Sequence, residues 1–223
     1  MIYDNITNFV CIHDVYSYQK RIKNEEKYNY FINKKYFICV DHNNVKDFLS
    51  IKDNVIETYN SEYGKYNKDI WSYSGLLYLL DNIELCETKY FMYSTNGHFY
   101  KLKNEIINDV CISDGGENIN RYYYFDYLKK YVDYKNIDKL KSFFEKEHHL
   151  RNAFIINKKL AHEILEYVLN FGILDDLKKY HLFFRHYLFH YVFFYILDTY
   201  NPDCKTLRFI KRIPDPKLHI IEK

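Results

Sequence analysis

Four short apolar runs, each closed by polar residues and separated by other stretches, constrain this chain more than any other feature. They are Asn8 to Ile12 (NFVCI), Tyr36 to Val40 (YFICV), Asn54 to Thr58 (NVIET) and Lys89 to Tyr93 (KYFMY). Runs of this length, rich in β-branched and aromatic side chains, read as buried strands. Tyr16 to Asn33 lies between the first two and Ile70 to Ile83 between the last two, both with apolar residues at helical spacing. The order β-α-β-β-α-β predicts an α/β fold with a mainly parallel central sheet and flanking helices. In such sheets ligands sit beyond the carboxyl ends of the strands. Those ends are His13-Asp14, Asp41-His42 and Ser94-Thr95-Asn96-Gly97-His98, three polar clusters that the fold would bring together.

The pattern changes near Gly115-Gly116, so the chain reads as one α/β domain with residues 1–115 as its sheet-forming half and 116–223 as a mostly helical half. Arg121 to His149 and Lys158 to Gly172 carry Leu, Ile, Phe and Tyr at three- and four-residue spacing and read as amphipathic helices, with Gly172 as the stop of the second. Asp175 to Thr199 is a further helix whose segment Leu182 to Leu197 (LFFRHYLFHYVFFYIL) is apolar nearly all round. That segment is interrupted by Arg185, His186 and His190 and is shorter than the roughly 20 apolar residues needed to cross a bilayer. It is either a helix buried in the core or an aromatic face against a membrane or partner, and burial is the expectation. The tail, Arg208 to Lys223, reads as a solvated basic end or as an aid to attachment on anionic lipid.

Lys and Arg number 32 against 30 Asp and Glu, a net +2, which provides no basic field of the kind that dominates nucleic-acid binding. Nucleic acid is therefore not an expected partner. The 26 Tyr and 17 Phe supply core volume, since a buried Tyr needs only one polar partner for its hydroxyl. Five cysteines, with no CxxC pair and no recognisable signal peptide, predict reduced thiols in a cytoplasmic protein. Cys11, Cys39 and Cys111 sit inside apolar runs and read as core residues. His186 and His190 share a helix face but lack the Glu of an HExxH pair, so core-edge packing is expected there. The absence of GxxxxGK[ST], GxGxxG and GxSxG removes P-loop kinases, the usual dinucleotide oxidoreductases and α/β-hydrolases from the front rank.

Ile56 to Leu102 carries the most functional signal. Asn60, Gly64 and Asn67 precede a helix, and the helix leads into an apolar strand ending in a polar turn and Phe99. This order resembles GT-A glycosyltransferases, in which a loop with Asn and Gly precedes a helix and then the strand that delivers a metal-binding Asp-x-Asp. Upstream, Phe9 to Ile12 resembles that fold's first strand, with His13, Asp14 and Tyr16 where the nucleotide loop would begin. Downstream, Asn152 to Ile156 and the helix after it resemble the acceptor-side element, so the likeness in element order spans about three quarters of the chain. The resemblance implies a GT-A or Rossmann-like fold, a nucleotide-sugar donor, a glycan or glycolipid acceptor and a divalent metal, Mn²⁺ or Mg²⁺. Where the family places its carboxylates, however, this chain has Tyr93, Ser94, Thr95 and Asn96, which cannot neutralise a divalent ion as carboxylates do. A metal-free mechanism would need another cation beside the departing diphosphate, with His98, Lys101, Arg121 and Arg151 as candidates. Asp114 and Glu117 in SDGGEN are an alternative source of carboxylates, although the segment reads first as a surface turn.

Two classes of function follow. The first is a glycosyltransferase building a surface polysaccharide or glycolipid. In it His13, Asp14 and Asp41 hold base and ribose, Ser94, Thr95, Asn96, Gly97 and His98 approach the donor phosphates, and Asp114 or Glu117 is the general base. Contact with a membrane periphery is compatible with it. The second is a non-catalytic interaction protein whose aromatic-rich surface binds a partner and whose polar clusters are strand-end turns.

Overall fold

The apolar runs become strands because successive side chains alternate between the two faces of a sheet, so a run apolar at nearly every position suits a sheet covered on both sides. The structure is a computed structural model that describes residues 5–13, 15–27, 34–41, 54–95, 99–102, 109–112, 122–145, 153–200 and 210–213. The first half runs β1 (Ile6–Ile12), α1 (Val15–Lys27), β2 (Lys34–Cys39), β3 (Val55–Glu57), α2 (Asn67–Ile70), α3 (Ser72–Asp81), β4 (Tyr90–Thr95), β5 (Phe99–Leu102) and β6 (Val110–Ile112). The second half adds α4 (Tyr122–Leu128), α5 (Ile137–Glu145), β7 (Ala153–Asn157), α6 (Ala161–Asn170), α7 (Ile173–Asp176), α8 (Leu182–Tyr200) and β8 (Ile210–Ile213). Six strands form one sheet in the order β3-β2-β1-β4-β7-β6, and β5 pairs with β8 in a second.

β1 is parallel to both β2 and β4, and β3 is parallel to β2. β7 runs antiparallel to β4 and to β6. The expected mainly parallel sheet therefore holds for β3-β2-β1-β4, and the sheet as a whole is mixed. Strand direction is invisible in a run such as AFIIN, whose alternation of faces is the same read either way. What sets it is the route of the chain. Asn157 N–H donates to the Asp109 carbonyl at 2.7 Å and Lys158 N–H to the Lys89 carbonyl at 3.0 Å, pinning the end of β7 beside the starts of β6 and β4. The second half is thus not helical throughout: it supplies β7 to the interior of the sheet.

Other boundaries move for local reasons. Arg121 to His149, expected as one helix, holds two, because Asp133 is extended (φ −54, ψ 143) ahead of a 3₁₀ turn at Tyr134–Asn136. The helix expected over Ile70 to Ile83 breaks at Trp71, the only non-glycine residue with positive φ among those described. Within the tail, Ile210–Ile213 is not merely a solvated end but pairs with Phe99–Leu102. Gly172 does end α6, in the left-handed conformation at φ 73.

The sheet carries a large core on one face. Phe9, Cys11, Ile38, Val40, Phe91, Tyr93 and Phe154 pack there with Leu76 and Leu80 of α3, Ile164 and Val168 of α6, and Phe189 and Phe193 of α8. Gly75 lets α3 lie flush on this face, since a Cβ there would stand 2.7 Å from Ile38 Cγ2 and 2.8 Å from Val40 Cγ1. The other face has a smaller cluster of Val10, Ile12, Phe37 and Cys39 with Tyr18 of α1. Cys11, Cys39, Cys86 and Cys111 are buried thiols outside any disulfide, and Cys204 lies outside the described residues. Burial pushes the Cys11 thiol up to about 12, which suits packing rather than nucleophilic chemistry. Among the described residues no helix is long and apolar enough to cross a membrane.

Candidate functional site

The four parallel strands end nearly level. Ile12 pairs with Cys39, Cys39 with Glu57, and Cys11 with Thr95. Beyond these ends Val40 N–H donates to the Ile12 carbonyl at 3.3 Å and Thr58 N–H to the Cys39 carbonyl at 3.1 Å, so the backbone stays paired up to the edge. The loop after β3 is built on itself: Ser61 Oγ donates to the Thr58 carbonyl at 2.5 Å, and Asn60 Nδ2 to Glu57 Oε1 at 2.7 Å. Gly64 is required by space, because a Cβ would sit 1.9 Å from the Tyr59 carbonyl oxygen. In the order β3-β2-β1-β4, connections leave β1 in opposite directions. The gap between β1 and β4 is therefore a topological switch point, the place where open α/β sheets bind their ligands.

Three of the residues singled out in the sequence lie at this edge. His13 directly follows β1, Asp41 is the second residue beyond β2, and Thr95 is the last of β4; each is partly buried. Ser94, expected in a turn, is instead inside β4, which runs two residues further than its apolar pattern suggests because Ser94 pairs with both Val10 and Ala153. Its side chain is fully buried on the face of Val10, and its hydroxyl has no hydrogen-bond partner. Asp14, Asn96, Gly97, His98, Asp114 and Glu117 lie outside the described residues, as do Arg121 and Arg151.

Against the same edge stands a cluster that local pattern does not reveal. Trp71 is the hinge between α2 and α3, at φ 50 and ψ −121, a conformation that costs a bulky residue on the order of 1–3 kcal/mol. Its indole stacks on the His186 imidazole at 4.6 Å and 26°. The preceding turn is fixed by Asp69, which is buried and accepts from Arg185 Nη1. Arg185 also donates from Nε to the Tyr180 carbonyl at 2.6 Å, tying the first turn of α8 to α2. One turn deeper, Tyr73 Oη and His190 Nδ1 share a hydrogen bond at 2.6 Å, the hydroxyl donating when the imidazole proton is on Nε2. Tyr93 Oη donates to the Ser72 carbonyl, linking the start of α3 to β4.

The electrostatics keep both imidazoles of α8 neutral. Burial pushes His190 down to about 3, with repulsion from His186 adding to it. Burial also lowers His186; a hydrogen bond to the Ile70 backbone opposes this, and the charge of His13 reinforces it. His13 is thus within electrostatic reach of α8. His186 Nδ1 is buried and has no hydrogen-bond partner among the described residues.

The end of β4 does not fit a divalent ion. The Tyr93 hydroxyl is buried and engaged, the Ser94 hydroxyl points into the sheet face, and Thr95 offers a single neutral oxygen. Among the described residues no three His, Cys, Asp or Glu side chains come together as a metal site. A cavity of about 320 Å³ lies elsewhere, lined by Tyr131, Asp133, Asn136, Tyr167, Asn170 and Tyr195, and shares no residue with the strand-end cluster. No protein-family model matches the chain, and no curated protein matches it in sequence.

Proposed function

We propose that the carboxyl edge between β1 and β4 binds a nucleotide-sugar donor and that the chain transfers the sugar to a hydroxyl of a glycan or glycolipid. The observation that carries this reading is the level ending of four parallel strands in the order β3-β2-β1-β4, with His13, Asp41 and Thr95 at that edge. A carboxylate such as Asp41 accepts hydrogen bonds from ribose hydroxyls, and an imidazole at His13 can donate to base or phosphate. In the transfer, the acceptor oxygen forms a bond to the anomeric carbon. The bond from that carbon to the diphosphate oxygen breaks, and the nucleoside diphosphate leaves with the electron pair. The acceptor proton passes to a base. Asp114 and Glu117, singled out in the sequence, are the candidates for that role.

Titration calorimetry with a panel of nucleotide sugars tests the reading. Binding is expected in the parent chain, with His13→Ala and Asp41→Ala each weakening it at least about tenfold, near 1.4 kcal/mol. Both variants should still unfold cooperatively, so that lost binding is read apart from lost structure. Absence of binding for every donor, or unchanged affinity in both variants, would replace this reading with a non-catalytic interaction protein. The exposed rings at the start of α8 are the observation that favours that second reading.

A further inference from the structure

The rings left exposed near the carboxyl edge are contiguous. Phe183 is 61% exposed, Tyr123 54%, Leu182 43%, Trp71 38% and Tyr187 37%. Phe183 meets Trp71 edge-on at 6.1 Å, Trp71 stacks on His186, and His186 meets Tyr187 at 5.6 Å. Tyr187 lies 6.5 Å from Tyr124, which in turn adjoins Tyr123 at 5.6 Å. Scattered exposed aromatics need no explanation, but a connected set on three different segments marks a contact surface.

The charge around these rings says what they meet. The segments that carry them, 64–71, 122–130 and 177–187, contain Lys65, Lys68, Lys129, Lys130, Lys178, Lys179 and Arg185 against Asp69 and Asp126. Counting also Asp175 and Asp176, which precede the third segment, cations lead seven to four, whereas the whole chain is only +2. The carboxylates are largely spent locally. Asp69 pairs with Arg185, Asp126 with Lys129 at 2.6 Å and Asp176 with Lys179 at 2.5 Å. Lys65, Lys68, Lys130 and Lys178 have no carboxylate partner among the described residues, and Lys130 Nζ stands 5.4 Å over the Tyr127 ring, beside Tyr123. Exposed aromatic side chains on segments that also carry lysines without a carboxylate partner are the composition of a surface that lies in the headgroup layer of a bilayer, the rings at the acyl boundary and the ammonium groups among anionic phosphates.

We infer that the face formed by Trp71, Tyr123, Leu182, Phe183 and Tyr187 docks on an anionic membrane surface. The chain then sits on the membrane without crossing it, with its strand-end edge turned toward the lipid. The inference stands on exposure and charge and does not depend on the transfer reading.

The chain provides its own probe, because Trp71 is the single tryptophan. The full chain is mixed with phosphatidylcholine vesicles, with and without phosphatidylserine, and followed by co-sedimentation and Trp71 emission. Binding is expected only with phosphatidylserine, falling as salt is raised, with Trp71 emission shifting to the blue. Phe183→Ser combined with Tyr187→Ser should lower the bound fraction at least tenfold. Lys130→Glu combined with Lys178→Glu should abolish the preference for phosphatidylserine. Both double variants should retain the parent's unfolding midpoint. Failure to bind either vesicle, unchanged binding by both folded variants, or self-association of the parent that Phe183→Ser removes would overturn the inference, the last by making a second copy the occupant. Nucleotide-sugar calorimetry on the same preparation keeps the two proposals separate, since either can fail alone.

Discussion

The first six residues of α8, Leu182 to Tyr187, and the ten that follow, Leu188 to Leu197, are built from the same aromatic and aliphatic types and meet opposite surroundings. Phe183 is mostly exposed, while Phe189, Phe193 and Phe194 are fully buried. The difference lies in the neighbours. Phe193 packs on Tyr73 of α3 at 5.6 Å and on Phe154 of β7 at 5.2 Å, and Phe154 also meets Phe194. Among the described residues the rings that Phe183 meets are those of Trp71 and His181, and 61% of it is exposed. A helix that is apolar all round is buried only as far as other elements reach along it.

The comparison breaks most easily at its buried end. Phe193→Ala should cost about 3–5 kcal/mol, as for other emptied Phe sites, read from the denaturant midpoint at unchanged slope. A loss below about 1 kcal/mol would mean that the deep half of α8 is not core. Tyr73→Phe removes the hydroxyl from His190 Nδ1 and leaves that nitrogen buried without a partner, which should cost about 1–3 kcal/mol. Equal stability of parent and variant would show that the pair contributes nothing.

Acidity probes the same end. An unfolded histidine takes up a proton near pH 6.5, whereas His190 resists until about 3, so the unfolded chain binds more protons between these values. The stability His190 contributes is complete above pH 6.5 and is lost as the pH falls toward 3. His190 alone should lower unfolding free energy by about 2 kcal/mol between pH 7 and pH 5, and His186, shifted the same way, adds to this. Asp109, Asp176 and Glu87 are held below their ordinary carboxylate values by lysine partners, so they act at lower pH and leave this window to the histidines. Urea titrations at both pH values measure the loss, and a His190→Gln variant should show a shallower dependence. An equal slope would remove His190 from the account.

The smallest expected effect is at the exposed end. Phe183→Ala should leave stability within about 0.5 kcal/mol of the parent. A loss comparable to that of Phe193→Ala would erase the distinction between the two ends of the helix and with it the free face on which membrane docking rests.

Much of the fold was legible in local pattern. The strands at Asn8 to Ile12, Tyr36 to Val40, Asn54 to Thr58 and Lys89 to Tyr93 are present to within a few residues, as are the helices between them, because period-2 and period-3.6 burial leave their mark in a single run of chain. The candidate edge was legible only in part. His13, Asp41 and Thr95 are there because they end or follow parallel strands, while Ser94 belongs to the interior. Asp69, Trp71 and Arg185 escaped, since Asp69 and Arg185 are 116 residues apart and no periodicity links them. The solitary Trp was the one available signal, and composition alone gave it no position.

Which segments prefer strand or helix, and which side chains seek the interior, is written in the order of residues, since both depend on each residue and its near neighbours. Folding in three dimensions is what makes Ala153–Asn157 enter the sheet reversed between β4 and β6, brings Asp69 and Trp71 to the start of α8, and leaves Leu182 and Phe183 exposed there. Pairing direction and burial are properties of two surfaces brought together, and the hydrophobic gain that selects them exists only once distant segments are packed against each other.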